Sequence, residues 1–243
     1  MVRGNPKTAA DERFEAYLVE HAVPYEYEPL WEERLGVRAE VKPDFLVDPD
    51  GVRVVAEVKQ FETTHITDRL LRRPGAAMGL SDREVYGHLR AKMNDAARHQ
   101  LLPFVDAGSP LVVVLANPLA ADVHMDFDHV AFAILGNMKL RTTLGPDALP
   151  TGPAQLVADG YGAFLSVTEA GLVNHHPHIS AVVVVHKGRE MGAGSRRWVE
   201  VYDLCGNPTP PGFQGVPLPR EVFSGPRDQW YGFTEDGFGE LVD

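Results

Sequence analysis

The chain has 243 residues, 44% of them hydrophobic, with one cysteine and a formal charge of −11. That apolar content can build a sizeable core without covalent staples; the lone Cys205 excludes an intramolecular disulfide and suits a reducing, cytoplasmic setting. The negative balance argues against a protein that coats nucleic acid nonspecifically. The polar start Met1–Glu12 does not read as a signal peptide, and the longest apolar runs, Leu111–Ala116 and Ala181–Val185, are too short for a membrane span.

In chain order, Thr8 followed by Asp11, with Phe14, Tyr17, Leu18 and His21 spaced for one face, predicts an N-terminal helix ending before Pro24. Tyr25–Glu28 reads as a short strand. Lys42–Val47 and Val52–Phe61 read as strands around Asp48-Pro49-Asp50-Gly51, a hairpin-turn signal. Glu62–Leu80 is irregular, with Arg69, Arg72 and Arg73 at its centre. Ser81 then opens a helix with capping-box spacing to Glu84, whose stripe Val85, Leu89, Met93 and Ala96 continues toward Leu101. Leu111–Ala116 has the composition of a buried strand, and Val130–Leu135, with Asp128 as N-cap and Gly136-Asn137 behind, that of a short helix. This order predicts an α/β core with a mixed central sheet. Later, Ile179–His186 and Trp198–Leu204 read as strands, and Asn207–Pro219, with five prolines and two glycines, as extended coil. Residues 1–145 are expected to form the core and 146–243 a C-terminal elaboration packed on it rather than an independent domain.

The chemistry follows from the register of the hairpin. With Asp50-Gly51 central in a tight turn, Pro49 pairs with Val52 and Asp44 falls opposite Glu57, at a non-hydrogen-bonded position where Cβ atoms approach to roughly 4.5–5.5 Å. Lys59, two residues beyond Glu57, shares its face as a partly exposed strand lysine. The other face, Phe45, Val47, Val54, Ala56 and Val58, is wholly apolar and is the expected core face. Two opposed carboxylates repel unless a cation lies between them. Such a pair with open coordination positions suits Mg²⁺ or Mn²⁺, hard ions that keep waters and accept phosphate oxygens. An adjacent lysine can hold or deprotonate the attacking water, or stabilise charge on a pentavalent phosphorus.

Lys42-Pro43-Asp44-Phe45-Leu46-Val47 followed by Ala56-Glu57-Val58-Lys59-Gln60 resembles the signature of the PD-(D/E)XK nuclease superfamily, and Phe14-Glu15 resembles the helix that supplies an additional acid in many members. The resemblance covers roughly residues 8–116 and implies the restriction-endonuclease-like αβββαβ core. It implies Asp44 and Glu57 as metal ligands with the Val58 carbonyl, Lys59 as the catalytic lysine, Glu15 as the accessory acid and Gln60 beside the substrate backbone. The implied activity is a Mg²⁺-dependent endonuclease cutting DNA, with Mn²⁺ as a substitute, acting in defence, repair or recombination. The alternatives are RNA cleavage, which shares every motif, and a catalytically silent nuclease-fold subunit that binds or scaffolds, which the acidic balance favours.

Between Glu62 and His99 seven basic residues face five acidic ones, while both ends of the chain are acidic. Arg72 and Arg73 in that stretch, and Lys92 on the polar helical stripe His88, Lys92, Asp95 and His99, are therefore candidate phosphate contacts; a solvated helix face is the plainer account of the stripe. His124, Asp126, Asp128 and His129, and the run Asn174-His175-His176-Pro177-His178, have metal-ligating residue types, but both read better as loop and cap residues. A homodimer would suit a double-strand cut and leaves no mark in the sequence.

Overall fold

The computed structural model describes residues 6–61, 82–118, 123, 125–141, 155–159, 162–168, 171–186, 198–205, 212–234 and 237–241. The helix α1 spans Ala9–Glu20, followed by β1 Tyr25–Tyr27, a one-turn helix α2 Trp31–Leu35, β2 Phe45–Val47 and β3 Val54–Gln60. Helix α3, Asp82–Asp95, runs directly into a π-helical turn, Ala96–Leu101, and a 3-10 segment, Leu102–Ala107. Then come β4 Leu111–Ala116, α4 Phe127–Leu135, two small hairpins (β5 Asn137–Arg141 with β6 Gln155–Asp159, β7 Leu165–Thr168 with β8 Gly171–Asn174), and β9 Ala181–Val185, β10 Val199–Asp203, β11 Gln229–Thr234 and β12 Gly237–Glu240.

Eight strands form one mixed sheet in the order β1-β2-β3-β4-β9-β10-β11-β12. The first three form an antiparallel meander, β4 then pairs parallel to β3, and β9 pairs parallel to β4. Because β9 lies directly beside β4, the C-terminal strands extend the same sheet. The valine-rich runs of β4 and β9 are buried on both faces, as strands at the centre of a covered sheet must be. One face packs α1 against Phe45, Val47, Val54, Ala56 and Val58. The other packs Leu89, Met93, Ala96 and Ala97 of α3 and its π turn against Leu46 and Val55. Among the described residues no helix is long and apolar enough to cross a membrane.

The hairpin has the expected register: Phe45 opposes Ala56, Leu46 opposes Val55 and Val47 opposes Val54. Its turn is closed by Val52 N–H donating to Pro49 O at 2.9 Å, with Gly51 at φ +84, a conformation that favours glycine. The strands are shorter than the expected Lys42–Val47 and Val52–Phe61, because a 3-10 turn, Pro49–Gly51, closes one end of the hairpin and the Asp44 side chain takes over from the ladder at the other. The structure also moves the α4 cap: Asp126, not Asp128, precedes the helix and accepts from His129 N at 3.2 Å. Both aspartates have the right chemistry; Phe127 being the first helical residue decides between them.

Candidate active site

The site forms where β2 leaves β3. Past Phe45 the chain turns away: Pro43 O accepts from Trp31 Nε1 at 3.2 Å, and Asp44 O accepts from Glu28 N at 2.7 Å. Val58 N–H therefore has no β2 carbonyl to meet, and Asp44 Oδ2 takes it at 2.9 Å. The same departure that ends the ladder fixes the Asp44 carboxylate beside β3. On β3, alternation sends Ala56 and Val58 toward α1 and puts Glu57 and Lys59 on the α3 side with Val55.

That polar face is not open. Glu57 is 5% exposed and Lys59 8%, which corrects the expectation of a partly exposed lysine. A period-two pattern identifies which side chains share a face but not whether a helix closes over it. Here α3 does, and its last residue, Asp95, completes the ion cluster. Lys59 Nζ lies 2.9 Å from Glu57 Oε1 and 2.7 Å from Asp95 Oδ2. Asp95 Oδ1 lies 2.9 Å from His99 Nδ1, and Gln100 Nε2 donates to Asp95 Oδ2 at 3.4 Å.

The two carboxyls of the pair resist ionisation. Burial pushes Asp44 up to about 6; the Val58 N–H opposes this, and the charge of Asp11 adds to it. Burial, and then the charge of Asp44, push Glu57 up to about 8, with Lys59 pulling the other way. For Lys59, burial disfavours the ammonium, but Glu57 and Asp95 outweigh it and the amine is held above its ordinary range. Asp95 goes the opposite way to its buried neighbours: burial acts against its charge, yet hydrogen bonds from Lys59 and His99 hold it at about 2. Glu57 Oε2 is buried and, among the described residues, has no hydrogen-bond partner. Ionised carboxylates only accept, so what Asp44 and Glu57 can share is a proton or a cation.

Asp44, Glu57 and Lys59 thus come together, and the other expected residues take different places. Val58 contributes its N–H to Asp44. Glu15 bonds Lys7 Nζ at 2.5 Å and Tyr25 Oη at 2.6 Å, which hold its carboxyl below the usual range. The α1 acid whose charge reaches Asp44 is Asp11, 3% exposed, whose Oδ2 accepts from Thr8 N at 2.7 Å and Thr8 Oγ1 at 2.8 Å. Sequence reasoning used Asp11 only as a helix-start signal and missed this second role. Gln60 Oε1 accepts from Ala10 N at 3.1 Å, tying the end of β3 to the start of α1. Lys92 is exposed on α3, and Arg72 and Arg73 lie outside the described residues. Of the histidine runs, Asp126 pairs with His129 Nδ1 at 2.5 Å, and His176 and His178 hold α3 and its π turn; His124 is outside the described residues.

Among the described residues there is no group of three or more His, Cys, Asp or Glu that could hold a metal. The carboxylate pair fits a different kind of ion, one that takes one or two carboxylates and fills its remaining positions with water and phosphate oxygens, as Mg²⁺ does. The partnerless Glu57 oxygen and the raised pair are the features such an ion would relieve. No family model, curated protein or solved structure matches the chain.

Proposed function

We propose that this chain is a divalent-metal-dependent nuclease of the PD-(D/E)XK type that hydrolyses DNA phosphodiester bonds. The observation that carries this is the convergence of Asp44, Glu57 and Lys59 at the point where β2 peels from β3, with a buried Glu57 oxygen that has no partner among the described residues. The strand order supports it as well: an antiparallel meander after α1, a crossover through α3, and β4 returning parallel to β3. Asp44 and Glu57 would hold Mg²⁺ or Mn²⁺, with the Val58 carbonyl next to them. Such an ion supplies Lewis acidity and a more acidic water.

The chain's own residues do the rest. Lys59 lies against Glu57 and Asp95, and an ammonium there would stabilise negative charge developing on the phosphoryl oxygens. Asp11 adds negative potential behind Asp44 and makes a cation there more favourable. The fold closes both faces of β3, which lowers the local dielectric and strengthens each of these interactions.

The test is cleavage of plasmid and linear DNA, with single-stranded RNA alongside, in Mg²⁺ or Mn²⁺ and in EDTA. Cleavage of DNA that needs the metal and is abolished in Asp44→Ala is the expected result. Nicking that persists in EDTA with Asp44→Ala fully active would sink the reading. Metal-dependent RNA cleavage without DNA cleavage would keep the chemistry and change the substrate. A second reading, a silent nuclease-fold subunit, draws on the −11 charge; it expects nucleic-acid or protein binding with no metal-dependent cleavage of either substrate.

A further inference from the structure

The polar stripe on α3 reads plainly as a solvated helix face, yet two of its members sit on the catalytic lysine's far side. Asp95 is the last residue of α3, and the chain then enters a π turn, Ala96–Leu101. In an α-helix the residues four ahead stack over a side chain; the wider π turn has more than four residues per turn, so positions four and five ahead straddle it. Here His99 and Gln100, four and five residues after Asp95, both reach its carboxylate. Such turns are rare and cluster at functional sites. Two histidines from the loop before β9 pin this stretch: His176 Nε2 meets Asn94 Oδ1 at 2.8 Å, and His178 Nε2 donates to Ala97 O at 3.1 Å.

We propose that Asp95, oriented by His99 and Gln100 on the π turn, is the positioning residue that fixes the Lys59 ammonium beside Glu57. Glu57 alone cannot do this in a working site, because a cation shared with Asp44 would compete for the same carboxylate. Asp95 lies outside the carboxylate pair and bonds Lys59 directly, so it keeps Lys59 in place whether or not Glu57 is engaged. Its low pKa, about 2, keeps it charged at any working pH. The catalytic consequence rests on the nuclease reading; the hold on Lys59 does not.

The experiment therefore has two arms on the full chain, with wild type, Asp95→Asn and His99→Ala. The first measures acetylation of lysines in metal-free protein by an N-hydroxysuccinimide ester, quantified by mass spectrometry, with exposed Lys92 as the internal control. Lys59 should label far more slowly than Lys92 in wild type. Asp95→Asn should raise its rate several-fold, because the amine loses the carboxylate that anchors it at 2.7 Å in its buried position, and His99→Ala should raise it less. The second arm measures single-turnover DNA cleavage and DNA affinity separately. Asp95→Asn should slow cleavage by about 10- to 100-fold, the scale of a misplaced reacting group, with affinity near wild type. Unchanged Lys59 labelling in Asp95→Asn overturns the proposal even where wild type cleaves DNA, as does wild-type cleavage by Asp95→Asn. A wild type that cleaves nothing sinks the nuclease reading instead, while the labelling still decides whether Asp95 holds the amine.

Discussion

At the scale of single residues, Lys59 separates catalysis from stability less cleanly than its place in the sequence implies. A strand lysine on a solvated face could be truncated at almost no cost to folding. Lys59 instead bridges Glu57 and Asp95 from a position 8% exposed. Lys59→Ala should cut single-turnover cleavage by roughly 100-fold or more, as when one electrostatic stabiliser is lost, with DNA affinity near wild type. It should also lower stability by about 1–3 kcal/mol, because Glu57 is left buried without its cation. Urea denaturation beside the kinetics checks both; equal rates would make Lys59 a structural ion-pair residue only. The cluster was half legible in the sequence. Asp44, Glu57 and Lys59 follow from counting across the turn, which needs only local geometry. Asp11 and Asp95 do not, since they arrive from helices whose docking is a tertiary fact, and Glu15, the acid favoured by resemblance, turns toward Lys7 and Tyr25.

At the scale of elements, the question is what holds the end of β3 against α1. The first N–H groups of a helix lack partners within it, and Ala10 N finds one in Gln60 Oε1. Gln60→Ala should cost about 1 kcal/mol of stability by stranding that donor. An accompanying loss of DNA affinity would restore Gln60 to the substrate contacts; unchanged affinity would leave it a structural clamp. At the hairpin, Gly51→Ala meets no atom within 4 Å but must hold φ +84, so backbone strain alone should cost about 1 kcal/mol. The elements that the sequence revealed are those with strong local signals: the Thr8–Asp11 capping box of α1, the Pro49–Val52 turn, and the valine runs of β4 and β9. The ones it hid are short or set by context. Helix α2 has no side-chain cap and five residues, and the π turn looks in sequence like continued α-helix.

At the scale of the whole molecule, the carboxylate pair makes stability depend on pH in a direction that a cation should reverse. An acid whose folded pKa lies above its unfolded value binds more protons folded than unfolded, so stability falls as pH rises through that interval. Asp44, at about 6 against 3.8, and Glu57, at about 8 against 4.5, place that loss between about pH 4 and pH 8. The opposite limb comes from Asp95, held at about 2, and His176, held neutral by burial down to about 4; both lose stability as pH falls. Asp203 and Asp228 are also raised by burial and add to the alkaline loss, so the difference between wild type and Glu57→Gln isolates the part due to Glu57. In metal-free buffer, wild type should lose more Tm than Glu57→Gln between pH 5.5 and pH 8.5, by roughly 5 °C for each 2 kcal/mol of extra linkage in a chain of this size. On the nuclease reading, Mg²⁺ would bind the ionised pair and only the folded state, so it should stabilise wild type more at pH 8.5 than at pH 5.5. At one hundred times its Kd the gain is about 2.7 kcal/mol. Asp44→Asn/Glu57→Gln should show neither the excess pH slope nor the Mg²⁺ shift. Thermal melts at the two pH values, with and without Mg²⁺, decide the matter independently of any substrate. A Mg²⁺ shift that survives in the double variant would place the ion elsewhere. A wild type with no shift at either pH would leave the pair a proton-sharing structural contact.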